Sequence, residues 1–337
     1  MKERIILAYG GGSPLSGGIH WLAEAYSAEV VTLTLDLGQG RDLEEIRDRA
    51  LASGAVRAHV LDVREEFARD FVLPALQAGA LHEGRDPMAA ALGWPLIART
   101  MLEIAAIEQA TATAHGCIGV NRKRMDTSVR ALNPDIRVIA APRGVVPAHG
   151  THANLWGRGY TVAKARLSKP NPQSQNPQAQ APVDTGTPAY VEISFDRGVP
   201  AAITGVPMAL TELIESLSII AGRHGVGRIA ETKSDVAGVR MSHVLEAPAA
   251  VVLHAAHSAL ETAVVPREVA RLKRERAGEY VHLVLEGRWF TAARETMDAL
   301  NAKVQENVTG AVRIKLFKGK LVTLETAACE HAMVHDA

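Results

Sequence analysis

Apolar and polar positions along the first half of the chain switch between two periods. Residues 4–9 (RIILAY) form a short apolar run with a β-branched centre, the mark of a buried strand. The turn GGGSPLSGG follows, then the helical pattern HWLAEAY. Residues 30–37 (VVTLTLDL) repeat the strand signal, and GQG leads into an amphipathic helix with Leu43, Ile46, Ala50 and Leu51 on one face. Residues 57–63 read as a third strand and 64–81 as a helix burying Phe67, Phe71 and Leu76. A further helix covers about 95–109, with Pro95 in its first turn, and residues 111–117 and 136–140 read as two more strands. Strands alternating with helices predict an α/β domain on a doubly wound parallel sheet. Ligands on such a sheet sit at the carboxyl ends of the strands, which singles out Gly10–Gly18, Leu37–Gly40 and His115–Arg124.

The pattern breaks over residues 169–189, where five of 21 residues are Pro and four are Gln, the composition of a loop or linker. Beyond it, YVEISF (190–195) alternates as a strand and ALTELIESLSIIAG (209–222) is periodic as a helix. VVLHAAHSALETAVV reads as a buried helix, whereas EYVHLVLEGRWF and VRIKLFKGKLVTLE read as strands, the last with a turn at KGK. This half is predicted to be α+β. The expected organisation is a first domain over 1–165, a Pro/Gln-rich loop over 166–189, a second domain over 190–325 and a tail over 326–337.

Among the 337 residues, 37 basic and 37 acidic side chains balance, which excludes a generic nucleic-acid binder and removes any electrostatic case for membrane anchoring. The chain is 47% apolar but only 4% aromatic, so Ala, Val, Leu and Ile must fill the core. Two cysteines exclude a disulfide framework and favour a reducing compartment. No stretch of 18 uncharged apolar residues is present, so no membrane span is expected and the cytoplasm is the expected location. Thirteen histidines are an excess.

A glycine-rich turn between a strand and a helix is either a phosphate cradle or a tight turn that lets the helix pack. GGGSPLSGG is neither GxxxxGKS nor GxGxxG and has no lysine for a nucleotide phosphate. The wider set of motifs is more specific. ILAYGGG, LDLGQG, DVREEFARDFVLPAL, AHGC, LNPDIRVIA, NLWGR, YVEISFDRGVP, GRHGVGRI, EAPAA and TGAVRIKLFKG run in order over almost the whole chain. Together they resemble argininosuccinate synthases. That resemblance implies a nucleotide-binding domain of the ATP-pyrophosphatase type followed by a synthetase domain. It implies ligation of citrulline to aspartate through citrullyl-AMP, with ATP and Mg²⁺ as cofactors. The nucleotide would be held by Ala8, Gly10, Gly11, Gly12, Ser13, Ser16 and Gly116.

The chain departs from that family at the chemistry. The family's SGGLDTS is Gly10-Gly11-Gly12-Ser13-Pro14-Leu15-Ser16 here, so a carboxylate expected beside Mg²⁺ and pyrophosphate is proline, which counts against the ion. Gly17 and Gly18 then predict a looser loop and a helix that starts later. The family's HGCTGKGNDQVRF is about two residues shorter here, with Ile118 in place of the threonine that meets aspartate. Asn121 is a remnant of the family's Asn–Asp pair, and Arg124 stands where the family arginine meets citrulline. Arg122, Lys123 and Arg124 form a cationic trio, read as a substrate- or phosphate-binding group or as a solvated basic turn. Further citrulline positions align with Asp86, Pro147, Gly150, Leu245 and, nearby, Lys233. A site built on hydrogen bonds rejects its old ligand when the partners vanish. The substrates expected are therefore small and amino-acid-like, but not citrulline plus aspartate. Candidate catalytic groups are Arg124, Asp86 and His82; Asn121, Arg122, Lys123, Arg124 and Lys233 are candidate substrate contacts.

His82, His149, His152 and His243 fall near these positions, and His149 with His152 and Asp86 is a zinc alternative to scattered neutral histidines. His257 and Cys117 are read as structural. The chain stops about twenty residues after Lys318, short of the family's tetramer arm, so a homodimer is expected in preference to that tetramer. Two function classes stay open: an ATP-dependent carbon–nitrogen ligase or repurposed enzyme, and an inactive relative that binds a small molecule or a protein partner.

Overall fold

The computed structural model describes residues 2–10, 13–40, 42–140, 152–163, 186–234 and 240–328. The glycines at 11 and 12, His149, most of the Pro/Gln-rich segment and the tail from 329 lie outside them. For Ser13–Ser16, His152 and Lys233 the backbone alone is described.

In chain order the first elements are β1 (Arg4–Ala8), α1 (Ser13–Ala25), β2 (Glu29–Asp36), α2 (Leu43–Ala52) and β3 (Arg57–Asp62). Then come α3 (Arg64–Phe67), a π-helical turn (Ala68–Val72), α4 (Leu73–Gln77), α5 (Ala89–Ile107), β4 (Ala112–His115), α6 (Gly119–Leu132) and β5 (Arg137–Ala140). The remainder is β6 (His152–Asn154), β7 (Gly157–Ala163), β8 (Ala189–Asp196), β9 (Val199–Ile203), β10 (Val206–Pro207) and α7 (Leu210–Arg223). β11 (Arg228–Ser234), β12 (Arg240–Glu246), α8 (Pro248–Val264), α9 (Arg267–Leu285), α10 (Ala292–Gln305), β13 (Gly310–Phe317) and β14 (Lys320–Ala328) complete it.

Two compact units result. The first comprises 1–64, 91–150 and 283–294, the second 65–90, 151–282 and 295–337. The division thus differs from the contiguous stretches read from the sequence: β6 and β7 pack with the second unit, and the α9–α10 connection packs with the first. The first unit holds a parallel sheet of order β3-β2-β1-β4-β5. Its central β1 buries Ile5, Ile6 and Leu7 because both faces are covered, so the run is continuously apolar. On one face Ile5, Leu7, Val30 and Ala112 pack with Ile19, Leu22, Ile46 and Ala50 of α1 and α2. The second unit has two antiparallel sheets, β10-β9-β8-β13-β14 and β11-β12-β7-β6. β8 and β13 alternate, burying Val191, Ile193, Phe195 and Val312, Ile314, Leu316 on one face.

Four readings of local structure are corrected. α1 starts at Ser13, before Gly17 and Gly18: Pro14 falls in its first turn, where the missing N–H has no helical partner to lose. Pro95 lies inside α5, not at its start, because AAALG extends the helix upstream. The basic stretch 122–124 is helical, in α6. YVHLVL is part of α9, with Tyr280, Val281, Leu283 and Val284 buried at helical spacing; so short an apolar run fits either period until its flanks decide. α5 is long and apolar enough to span a bilayer by length and composition, yet more than half of it is buried inside the protein, as in a core helix.

Candidate functional site

Strand order places the switch of direction between β1 and β4: the chain moves outward from β1 to β2 and β3, then returns to β4 beside β1. The crevice at such a point, at the carboxyl ends of the strands, is where open α/β sheets bind ligands. Two helices start there, α1 after β1 and α6 after β4, and their first-turn amides lack intrahelical partners. Ala8 ends β1, Gly10 is exposed beyond it, and the backbone of Ser13 and Ser16 opens α1. The approach is rigid: Tyr9 N–H donates to Leu33 O at 2.8 Å and Thr34 Oγ1 to Tyr9 O at 2.9 Å. After β2, Gln39 folds back, accepting from Leu37 N–H at 2.7 Å and donating to Leu35 O at 2.6 Å. Asp36 accepts from Gly38 N–H at 2.9 Å, with Arg64 at 3.6 Å.

The turn from β4 to α6, which holds Gly116, is tied by His115. Its Nδ1 accepts from Cys117 N–H at 3.3 Å and its Nε2 faces Asp126 Oδ1 at 2.8 Å. The ring is buried, and burial lowers its pKa more than Asp126 raises it. Burial, with Asp126 nearby, pushes the Cys117 thiol up to about 12, which removes it as a thiolate nucleophile at neutral pH. At the cap of α6 stands Ile118, 48% exposed and making no side-chain cap bond; Val120 beside it is also exposed.

Helical geometry takes the cationic trio apart, because successive residues point about 100° apart around the axis. Arg122 turns toward Asp126 (3.8 Å), and Lys123 toward Glu286 (3.5 Å). Arg124 donates from Nε to Leu285 O at 2.6 Å and from a terminal nitrogen to Asn121 Oδ1 at 2.8 Å. Ser128 adds a bond to Gly287 O at 3.1 Å. Gly287 has φ +75°, and a Cβ there would lie 2.5 Å from Arg124 O, so the α9–α10 connection seats directly on α6. The three cations therefore face different partners, and Arg124 and Asn121, the candidate substrate contacts, with Arg124 also the catalytic candidate, are bonded to each other, Arg124 also to the α9–α10 connection.

The remaining candidates fall in the second unit. His82 and Asp86 do come together, but as backbone partners of a tight turn: His82 N–H donates to Asp86 O at 2.8 Å and Asp86 N–H to His82 O at 3.0 Å. The Asp86 carboxylate accepts from Met88 N–H at 2.8 Å. The carboxylate proposed for catalysis thus also closes its own turn. Lys233 pairs with Met241 across β11 and β12 through the backbone. No three His, Cys, Asp or Glu side chains gather as a metal-binding group among the described residues.

A second cluster went unnoticed as a site in the sequence, although its motifs are conspicuous there. Asn154 accepts from Trp156 N–H at 3.0 Å and Gly157 N–H at 3.2 Å and donates to Ala89 O at 2.7 Å. Trp156 is buried and its indole N–H reaches Pro87 O at 3.2 Å. Arg158 pairs with Glu246, which also accepts from Tyr160 at 2.7 Å and has Arg228 at 3.7 Å. Burial and Glu246 push the Tyr160 hydroxyl up to about 12. Gly157 packs on Ala247, and Ala247 N–H donates to Gly227 O at 2.9 Å. NLWGR, GVGRI and EAP thus meet at one junction, and its polar atoms are used by the fold.

With this geometry in view, comparison with known proteins becomes specific. A model described as the arginosuccinate synthase N-terminal HUP domain matches residues 4–160, and one described as the arginosuccinate synthase C-terminal domain matches residues 150–334. The chain belongs to the argininosuccinate synthase family. Among proteins named argininosuccinate synthase, it is 40% identical to that of Symbiobacterium thermophilum, with 94% of this chain and 86% of the relative aligned. It is 38% identical to that of Dictyoglomus turgidum over 94% and 85%, and 38% identical to that of Bacillus cereus over 95% and 86%. The HUP-type parallel sheet and the antiparallel second unit agree with both family models.

Proposed function

We propose that this chain is an ATP-dependent carbon–nitrogen ligase whose nucleotide occupies the carboxyl ends of β1 and β4. The observation that carries the reading is the convergence of two helix N-termini, those of α1 and α6, at the switch point of the parallel sheet. Ala8, Gly10, Gly11, Gly12, Ser13 and Ser16 would line the phosphates, and Gly116 the opposite wall. These groups are backbone donors and small residues, which suits a polyphosphate. When bound, ATP supplies an adenylyl group that turns a poor leaving oxygen into AMP. The chain's own contribution is to hold that ligand with fixed amides, through the latched turns at Tyr9, Gln39 and His115. Asp36 is bonded to its own turn and position 14 is proline, so magnesium brought in with the nucleotide would be held largely by phosphate oxygens, and no step is assigned to it.

The substrates we propose are small and amino-acid-like, other than citrulline plus aspartate. Ile118 supports this: an exposed apolar side chain caps α6 where an aspartate-binding site calls for a hydroxyl. Calorimetry of the full chain with ATP–Mg²⁺, followed by pyrophosphate release against a panel of amino and ureido compounds, tests both parts. Absence of nucleotide binding at millimolar ATP removes the ligase reading. Argininosuccinate formed from citrulline and aspartate removes the altered-substrate reading and leaves the ligase. A binding protein without turnover is the competing reading, favoured by Pro14; it requires nucleotide or metabolite binding with no pyrophosphate released from any pair.

A further inference from the structure

A neutral imidazole has one N–H and one lone pair, so its two nitrogens cannot both donate or both accept. At His115 the partners are of opposite kinds. The Cys117 backbone N–H can only donate, so Nδ1, at 3.3 Å, must carry the lone pair. The Asp126 carboxylate accepts, so Nε2, at 2.8 Å, must carry the proton. Asp126 sits two turns into α6 and is itself approached by Arg122 at 3.8 Å and Arg130 at 3.9 Å. Both arginines thus approach the carboxylate that faces the buried ring. The chain of contacts therefore runs from exposed arginines, through Asp126 and the His115 ring, to the amide that shapes the Gly116 turn.

We propose that Asp126 is a positioning residue: by accepting the Nε2 proton of His115 it fixes the one tautomer that receives the Cys117 amide, and so holds the β4–α6 turn in shape for its ligand. The pair is also a proton-sensitive latch. A doubly protonated ring presents an N–H at Nδ1 to the Cys117 N–H, donor against donor, and that bond is lost. Burial opposes the charged ring most; Asp126 and, more weakly, a backbone hydrogen bond at His115 itself favour it, and Arg122 opposes it. Arg130 acts only through Asp126, and the Cys117 thiol stays neutral over the same range. At neutral pH the latch is closed, and it opens only below the ordinary histidine range.

The ligand readout rests on the proposed nucleotide site; the tautomer readout does not. Long-range proton–nitrogen NMR on the full-length chain, ¹⁵N-labelled at histidine, reports which nitrogen of His115 is protonated. The expected result is an Nε2–H tautomer at neutral pH, with the Cys117 amide resonance moving in step with ring protonation as the pH is lowered. An Nδ1–H tautomer, or a Cys117 amide indifferent to ring protonation, overturns the inference. In ATP titrations, Asp126→Ala is expected to weaken binding about tenfold, the worth of one buried hydrogen bond. Asp126→Asn, which keeps an acceptor, is expected to stay within about twofold of the parent. A merely structural role lowers thermal stability in both variants without separating their tautomers or affinities, and that result also overturns it. If the parent chain binds no ATP, the nucleotide reading fails and the tautomer measurement alone decides this inference.

Discussion

At the junction of β7, β11 and β12, Asn154, Trp156, Gly157, Arg158, Gly227 and Glu246 are tied into the fold by bonds and close packing, whereas at the carboxyl ends of β1 and β4 Gly10 and Ile118 are exposed. The physical circumstances of the two regions differ. At the junction each residue answers to a buried backbone group or a close approach of two chains. Replacing Asn154 orphans two N–H groups, and a side chain at 227 collides with Pro248. At the strand ends Ile118 owes little to the fold: it is exposed and forms no cap bond. Residues at the junction therefore answer to packing, whereas Ile118 at the strand ends answers to little besides solvent.

The contrast is open to measurement, largest effect first. Gly227 has φ +84°, and an added Cβ would lie 2.4 Å from Pro248 Cα. Gly227→Ala should cost about 4 kcal/mol by urea unfolding, and a loss under about 1 kcal/mol would break the packing account of this junction. Next comes acid sensitivity in the same unit. His254 is fully buried beside Trp156, and burial, with His257 and Lys273 adding positive charge, lowers it to about 3. A depressed histidine binds more protons unfolded than folded between that value and its ordinary 6.5. Stability is therefore undiminished above about pH 6.5 and falls as pH drops through this window, by about 2 kcal/mol at pH 5. A His254→Leu variant should show a correspondingly shallower pH dependence in chemical denaturation.

The strand-end region should respond weakly, and in one case favourably. Ile118→Asp supplies the missing cap and a charge matched to the α6 dipole, and should raise stability by about 1 kcal/mol in a thermal melt. A clear loss would mean that Ile118 is packed more tightly than its exposure indicates. Smallest of all, Lys123→Ala removes a surface pair with Glu286 at 3.5 Å and should change stability by less than about 0.5 kcal/mol.

Much of this was legible in the chain itself. The alternation of apolar strands with amphipathic helices named the parallel sheet, and the order of motifs named the family, because both signals are local and additive along the sequence. The segments Gly10–Gly18 and His115–Arg124 do follow the carboxyl ends of β1 and β4, as the order of elements in the sequence implied. The side-chain roles were not legible. Arg122, Lys123 and Arg124 are neighbours in sequence and suggest a single charge cluster; only helix formation, driven by burial of Met125 and Val129, shows that they diverge. Asp126 carries no motif signal, because its importance is a distance to a ring eleven residues away.

The sequence by itself determined the succession of elements, the glycine turn after the first strand and membership of the family, since these depend on periodicity and on residues that no other residue type replaces. Tertiary structure alone decided that 283–294 belongs with the first unit, that Arg124 bonds to the α9–α10 connection, and that the buried His115 ring meets Asp126. The reason is common to all three: each depends on which buried polar group finds which partner, and those partners are brought together by folding from positions the chain keeps apart.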